Sequence, residues 1–277
     1  MPSDTPHEPA GFAPRMPPPA WPRAAHVALW LAPSLRFANT FHGGWDAYGQ
    51  RAGIWRLMDT LDRLSMRASL ALQAGDASRC PDILEACALR DWDLLAWSGE
   101  RAYPAAHDAR VARETLGESA AHTVAGWLAG DAGLDTGSLQ HLADAGFSYV
   151  SNLHVLDVPR LLPGLSGTLV ELPYCEEVSD LRCLVEHGMP AARYAQRIGD
   201  QFAQLYSEGA RTPCVLGLPL QPALVGSPAN LREFEAVLAD IARHDKVWLA
   251  TGREIAYWVV HGRHAVDGTG AAAGAIT

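Results

Sequence analysis

The stretch LGLPLQPALVGSP, residues 216–228, has the form of a buried strand running into a Gly/Pro turn, a place where enzymes often carry chemistry. It supplies only Gln221, a serine and backbone groups. Metal-assisted hydrolysis needs two or three imidazoles or carboxylates converging on one ion. His42, His107, His122, His141 and His154 are scattered and share no ligand spacing, so no metal site is expected. Ser98 in AWSGE lacks the glycine two residues earlier that a nucleophile elbow requires, because Ala96 stands there. Cys80, Cys87, Cys175, Cys183 and Cys214 are odd in number and form no C-x-x-C pair, which makes them reduced thiols rather than disulfides or zinc ligands.

The elements that would have to position any chemistry come from the apolar pattern. Short β-rich runs occur at 26–32, 67–72, 93–97, 122–129, 147–152, 168–174, 214–220 and 246–252, with the near-continuous apolar character of buried parallel strands. Between them lie helical spacings: Ile54, Leu57, Met58, Leu61 and Leu64 share one face, as do Leu231, Phe234, Val237, Leu238 and Ile241. Pro81-Asp82 opens a further helix, and Thr136 or Ser138 caps another that ends at Gly146. A β-α order repeated about seven times, with no G-x-G-x-x-G after any strand, favours a closed β/α barrel over an open doubly wound sheet.

Barrels of this kind place chemistry where strands end in loops. The strand ends here offer Ser34, Arg36 and Asn39; Gln73 and Asp76; Trp97, Ser98 and Glu100; Asp131; Asn152, His154 and Asp157; Tyr174, Glu176, Glu177 and Asp180; and Gln221. The chain has 277 residues, 48% of them hydrophobic, enough for one large core. Its net charge of −9 and lack of a basic stripe argue against a nucleic-acid partner. With no apolar run long enough to span a bilayer and no signal-peptide pattern, a cytoplasmic protein without a membrane partner is expected. Residues 1–22 read as a Pro-rich arm, 23–262 as a single barrel domain and 263–277 as a Gly/Ala tail.

Several ordered runs, among them YGQRAGIWRLMDTLDRLSMRASLAL, CPDILEACALRDWDLLAWSGE, GWLAGDAGLDTGSLQHLADAGFSYVSN, LVELPYCEEVSDL and LYSEGARTPCVLGLPLQPALVGSP, resemble the polysaccharide deacetylase superfamily, and within it the bacterial allantoinase and cyclic-imidase-like branch. The resemblance runs from about residue 22 to residue 262. It implies an α/β fold, a distorted (β/α)7 barrel, and hydrolysis of non-peptide C–N bonds by opening cyclic ureides or imides or by N-deacetylation. It also implies a homo-oligomer, for which the last helix, REIAYWVVHG, and the proline arm are candidate surfaces.

The site pattern the resemblance implies is degenerate. Ser34 and Arg36 stand where relatives have Asn-x-Glu; Trp97, or Ser98 with a one-residue shift, stands in place of an imidazole; Pro219 and Gln221 stand where relatives have H-x-H-P. Asp93 remains as a carboxylate. Arg51, Trp127, Tyr174 and Asp180 are retained positions that shape a pocket in the family. Replacement substitutes for the lost base are Glu100, Asp157, Glu176 and His154.

A positioned base contributes about 10²–10⁴ in rate and an electrostatic stabiliser about 10²–10³, so their joint loss leaves little turnover. Two readings follow: a silent or weakened member that binds a small cyclic amide or ureide, or an oligomer partner, without a cofactor and acts as a structural or regulatory subunit, or a C–N hydrolase with a rearranged, metal-independent site. Nine tryptophans could offer sugar-stacking faces, but most lie in or beside expected strands and helices, where core packing explains them.

Overall fold

A computed structural model describes residues 20–37, 43–97, 105–120, 124–129, 134–151 and 156–267. Seven parallel strands form the barrel wall: β1 (Val27–Leu35), β2 (Ser69–Leu72), β3 (Asp93–Trp97), β4 (Val124–Leu128), β5 (Tyr149–Ser151), β7 (Val170–Leu172) and β8 (Cys214–Leu220). They follow the order β7-β5-β4-β3-β2-β1-β8. The short strand β6 (Arg160–Leu161), which the sequence pattern does not announce, pairs antiparallel with β7 at the end of this path. No ladder joins β7 to β8. Instead Cys175 N–H, just past β7, donates to Gly217 O at 3.1 Å, and Val215 N–H donates to Asp157 O at 2.8 Å. The barrel is therefore closed on that side by single bonds between irregular chain and β8, which accounts for its distortion.

Alternation along each strand sorts side chains into an inner and an outer set. Ala28, Trp30, Ala32 and Ser34 of β1 point inward, while Leu29, Leu31 and Leu35 pack outward beneath helices. Many inner positions are small, and two bulky rings use the space this leaves. Trp30 and Tyr149 meet edge to face with centroids 6.1 Å apart. A Cβ on Gly126 would lie 2.2 Å from the Tyr149 ring, and one on Gly217 would lie 3.0 Å from Trp30, so both positions require glycine for close approach.

The outer layer includes α2 (Ile54–Arg63), α3 (Pro81–Leu89), α4 (Ala106–Ala120), α5 (Thr136–Asp144), α6 (Ala191–Glu208) and α8 (Pro228–Ala242). α1 (Gly43–Tyr48) continues through a π turn, Gly49–Gly53, into α2, and the single-turn α7 (Pro222–Val225) follows β8. The apolar faces read at 54–64 and 231–241 are buried as expected. The cap of α5 differs from expectation: Asp135, in extended conformation, accepts from Ser138 N–H, so Thr136 and Ser138 belong to the first turn. Gly146, at φ +81°, lies beyond the end of α5 in the left-handed region.

β9 (Val247–Leu249) pairs with Val27–Leu29 of β1. Since β8 occupies the other edge of β1 along 27–33, β9 shares an edge with β2, which pairs only at Ser34 and Leu35. β9 thus wedges the barrel open at its N-terminal end, and α9 (Gly252–Asp267) enters there. Ile255, Ala256 and Val259 of α9 join the inner apolar cluster and form the barrel floor. Trp21 is buried beside this region, its indole N–H on Cys214 O at 3.0 Å. No helix among the described residues is long and apolar enough to cross a membrane.

Candidate functional site

The inward rows of β1, β3 and β8 end at the opposite, C-terminal mouth of the barrel, where Ser34, Arg36, Trp97, Pro219 and Gln221 gather. Ser34 is buried at the end of β1, and its hydroxyl accepts a 2.6 Å hydrogen bond from the Gln221 side-chain amide. Pro219 lies two residues earlier on β8, buried and paired with Ala32. Arg36 continues the inward row past β1 and lays its guanidinium over Trp97, 5.1 Å from the ring centroid, at the end of β3. Gln50 holds the Arg36 carbonyl at 2.7 Å, which ties the chain after β1 to the π turn.

Beneath this layer sits Asp180, fully buried. Its Oδ2 accepts the backbone N–H of Gln221 at 2.6 Å, so the same residue that bonds Ser34 through its side chain bonds Asp180 through its main chain. Burial pushes the Asp180 carboxyl up from 3.8 to about 8, against the opposing pull of the Gln221, Leu181 and Asp180 main-chain amides and of the Arg36 charge. Asp180 Oδ1 and Arg36 Nε are both buried and find no hydrogen-bond partner among the described residues. Asp180 was expected to shape the pocket. Its burial makes it a titrating group among the described residues, which a reading of turn-forming acidic residues does not reveal.

Other expected site residues separate from this cluster. Trp127 packs outward, edge-on to Phe147 at 5.5 Å, in the layer between sheet and helices. Arg51 is exposed on the π turn. Tyr174 is half-buried against Trp30, with centroids 6.2 Å apart, toward the inside of the barrel. The carbonyl of Asp157 meets Val215, near the N-terminal end of β8, six residues from Gln221; at about 3.3 Å per residue it stands roughly 20 Å along the strand from the mouth. Glu176 pairs with Arg182 at 3.2 Å on the turn after β7. Asp93 is at the opposite end of β3 from Trp97, in the floor. Glu100 and His154, with Asn39, His42, Ser98, His122, Asp131 and Asn152, lie outside the described residues. No three metal-binding side chains cluster among the described residues.

No family model and no curated protein matches the sequence. Solved structures do. The Puue allantoinase superposes with a TM-score of 0.82 at 22% identity, over 95% of this chain and 99% of that one. The fold is that of the polysaccharide deacetylases. A protein named as a probable polysaccharide deacetylase of Pseudomonas aeruginosa PAO1 gives 0.80 at 23% identity over 94% of this chain and 99% of its own. A CE4 family pseudoenzyme from Bacillus anthracis is more distant, at 0.53 and 9% identity over 83% and 65%. This deacetylase-type (β/α)7 barrel carries, at its mouth, a cation on an aromatic ring, a serine–glutamine pair and a buried carboxyl.

Proposed function

We propose that the barrel mouth binds a small cyclic amide, imide or ureide and that hydrolysis of C–N bonds there is weak or absent. The observation that carries this reading is the pairing of Arg36 with Trp97 and of Ser34 with Gln221. Neither a guanidinium nor an amide accepts a proton at neutral pH, and each is already engaged by its neighbour. The allantoinase likeness supports the ligand class, and the pseudoenzyme likeness shows that the fold is compatible with lost activity in another protein. The charge of −9 supports a protein without a nucleic-acid partner, and exposed Tyr257 on α9 supports assembly into a homo-oligomer; the compartment proposed is the cytoplasm.

A second reading, an active hydrolase with a rearranged site, is favoured by one feature. Among the described residues, Asp180, raised to about 8, is a group at the mouth able to exchange a proton near neutral pH. Ring opening of a panel of cyclic ureides and imides, with N-acetylated sugars included and with and without divalent metal, tests both. The first reading expects turnover at or barely above buffer; clear turnover on one compound that disappears in Asp180→Asn would establish the second. Under the first reading the triple change Arg36→Glu, Pro219→His and Gln221→His is expected to introduce activity.

A further inference from the structure

We propose that the outer face of α9, at the N-terminal end of the barrel, is a polyproline-binding surface whose occupant is this chain's own residues 14–19. The inference is independent of the ligand reading of the mouth, which lies at the other end of the barrel.

One hydrogen bond starts the argument. Trp258 of α9 donates its indole N–H to the Ala20 carbonyl at 2.8 Å. Ala20 stands in the run Pro17-Pro18-Pro19-Ala20-Trp21-Pro22, and Trp21 holds φ −63° and ψ 162°, the polyproline region. A chain in that conformation makes no internal hydrogen bonds, so its carbonyls are free to accept. Aromatic-lined surfaces recognise proline-rich segments because the conformation is formed in advance and little entropy is lost on docking. The Trp258 indole supplies the donor that fixes such a segment in place.

The rings are present as well. Trp21 packs on Trp248 with centroids 5.5 Å apart, and Trp248 meets Trp258 edge-on at 6.1 Å. Next to Trp258 on α9 lie Tyr257, 62% exposed, and His261, their rings stacked with centroids 4.1 Å apart. His261 Nδ1 donates to the Tyr257 carbonyl at 2.9 Å, which holds the imidazole against the helix. Ile255, Ala256 and Val259, on the other side of α9, fill the barrel floor, so closing the barrel does not account for the exposed pair.

Reach selects the occupant. Nineteen residues precede Ala20, and its bond to Trp258 delivers them at the edge of the Tyr257–His261 pair. Tyr257 is one helical position from Trp258, about 100° around the helix and an arc of about 9 Å at the side-chain radius. Pro17-Pro18-Pro19, at about 3.1 Å per residue in the polyproline form, span the same distance. Each proline also confines the residue before it to extended conformations, which preorganises the segment. A tethered segment acts at an effective concentration on the order of millimolar, which a separate ligand must exceed. Tyr257 is therefore first an intrachain contact, and a subunit approaching α9 would meet helix and arm together.

Trypsin cleavage of the full chain after Arg15, read by mass as loss of residues 1–15, tests this against a free peptide of residues 10–22. A docked segment must undock to enter the protease, so the chain is expected to be cut at least about tenfold more slowly than the peptide. The double change Tyr257→Ala, His261→Ala should bring the rate to within about threefold of the peptide while the urea midpoint stays level, since both side chains are exposed. Replacing Pro17, Pro18 and Pro19 together by alanine should do the same from the other partner. Cleavage of the unaltered chain at the peptide rate would overturn the proposal. Slow cleavage that survives loss of Tyr257 and His261 would overturn it too, by placing the arm elsewhere. Protection that disappears on about 100-fold dilution would overturn the intrachain occupant in favour of the arm of a second copy.

Discussion

Gln221 joins three elements: its main chain bonds Asp180 after β7, its side chain bonds Ser34 at the end of β1, and it starts the turn leading into α7. Asp180 in turn satisfies a main-chain donor while carrying a proton at neutral pH, so a neutral amide of the same shape can replace it. At or below about pH 4, where the carboxyl is protonated in both states, Asp180→Asn should change stability by less than about 1 kcal/mol, whereas Asp180→Ala, which strips the Gln221 N–H of its acceptor, should cost about 1–3 kcal/mol. Urea unfolding of both variants checks this; an Asn variant as damaged as the Ala variant would mean that Asp180 is ionised in the folded protein. Ser34, Arg36, Pro219 and Gln221 were legible from the sequence as residues at strand ends. Their pairing was not, because Arg36 meets Trp97 from a different strand and Ser34 meets Gln221 across 187 positions.

Among the elements, β4 shows how a readable pattern can mislead about a single residue. Leu94 opposes Val124 but Leu95 opposes Gly126, so Ala125 is an extra residue and the inward row shifts by one from there on. Without that bulge, strict alternation would aim Trp127 into the barrel; with it, Gly126 faces Tyr149 and Trp127 turns to the helices. Gly126→Ala should therefore destabilise by about 1–3 kcal/mol through overpacking against Tyr149, measured by denaturant unfolding; an unchanged midpoint would place Tyr149 elsewhere. The strands and amphipathic helices were legible because their periodicity is local, and Tyr194, Ile198, Phe202 and Leu205 of α6 show it as clearly as α2 does. What α9 does was not legible. Its first amides, Gly252 N–H and Arg253 N–H, donate to Ser69 and Asp93 at the starts of β2 and β3, at 2.9 and 3.0 Å, and Tyr149 hydroxyl and Leu94 N–H also donate to Asp93. That floor is assembled from three strands and a helix, and the sequence pattern shows only that Asp93 begins an apolar run. Asp93→Ala should speed hydrogen exchange at Arg253 by tenfold or more while the α6 amides stay protected, since it removes the acceptor of that amide.

At the scale of the whole molecule, the two buried carboxyls set the pH dependence of stability. Burial raises Asp93 from 3.8 to about 6, against the Tyr149, Arg253 and Leu94 donors, and raises Asp180 to about 8. In each case the folded state binds the proton more tightly than the unfolded chain. The stability each contributes is therefore fully present below about pH 4 and is lost as pH rises through about 6 for Asp93 and about 8 for Asp180. Exposed Asp135 and Asp144 are lowered by hydrogen bonds to their neighbours, so their contribution fades only below about pH 4 and does not alter the slope above it. Self-repulsion from a charge of −9 grows as any remaining acid ionises and acts in the same direction. The urea midpoint should accordingly be highest near pH 4 and decline toward about pH 8, more steeply below about pH 6 than above it; Asp93→Asn should remove the steeper part and Asp180→Asn the decline that continues to about 8. A midpoint that instead rises across this interval would mean that both carboxyls are ionised in the folded barrel, and that the floor and the mouth are held by charge rather than by neutral acids.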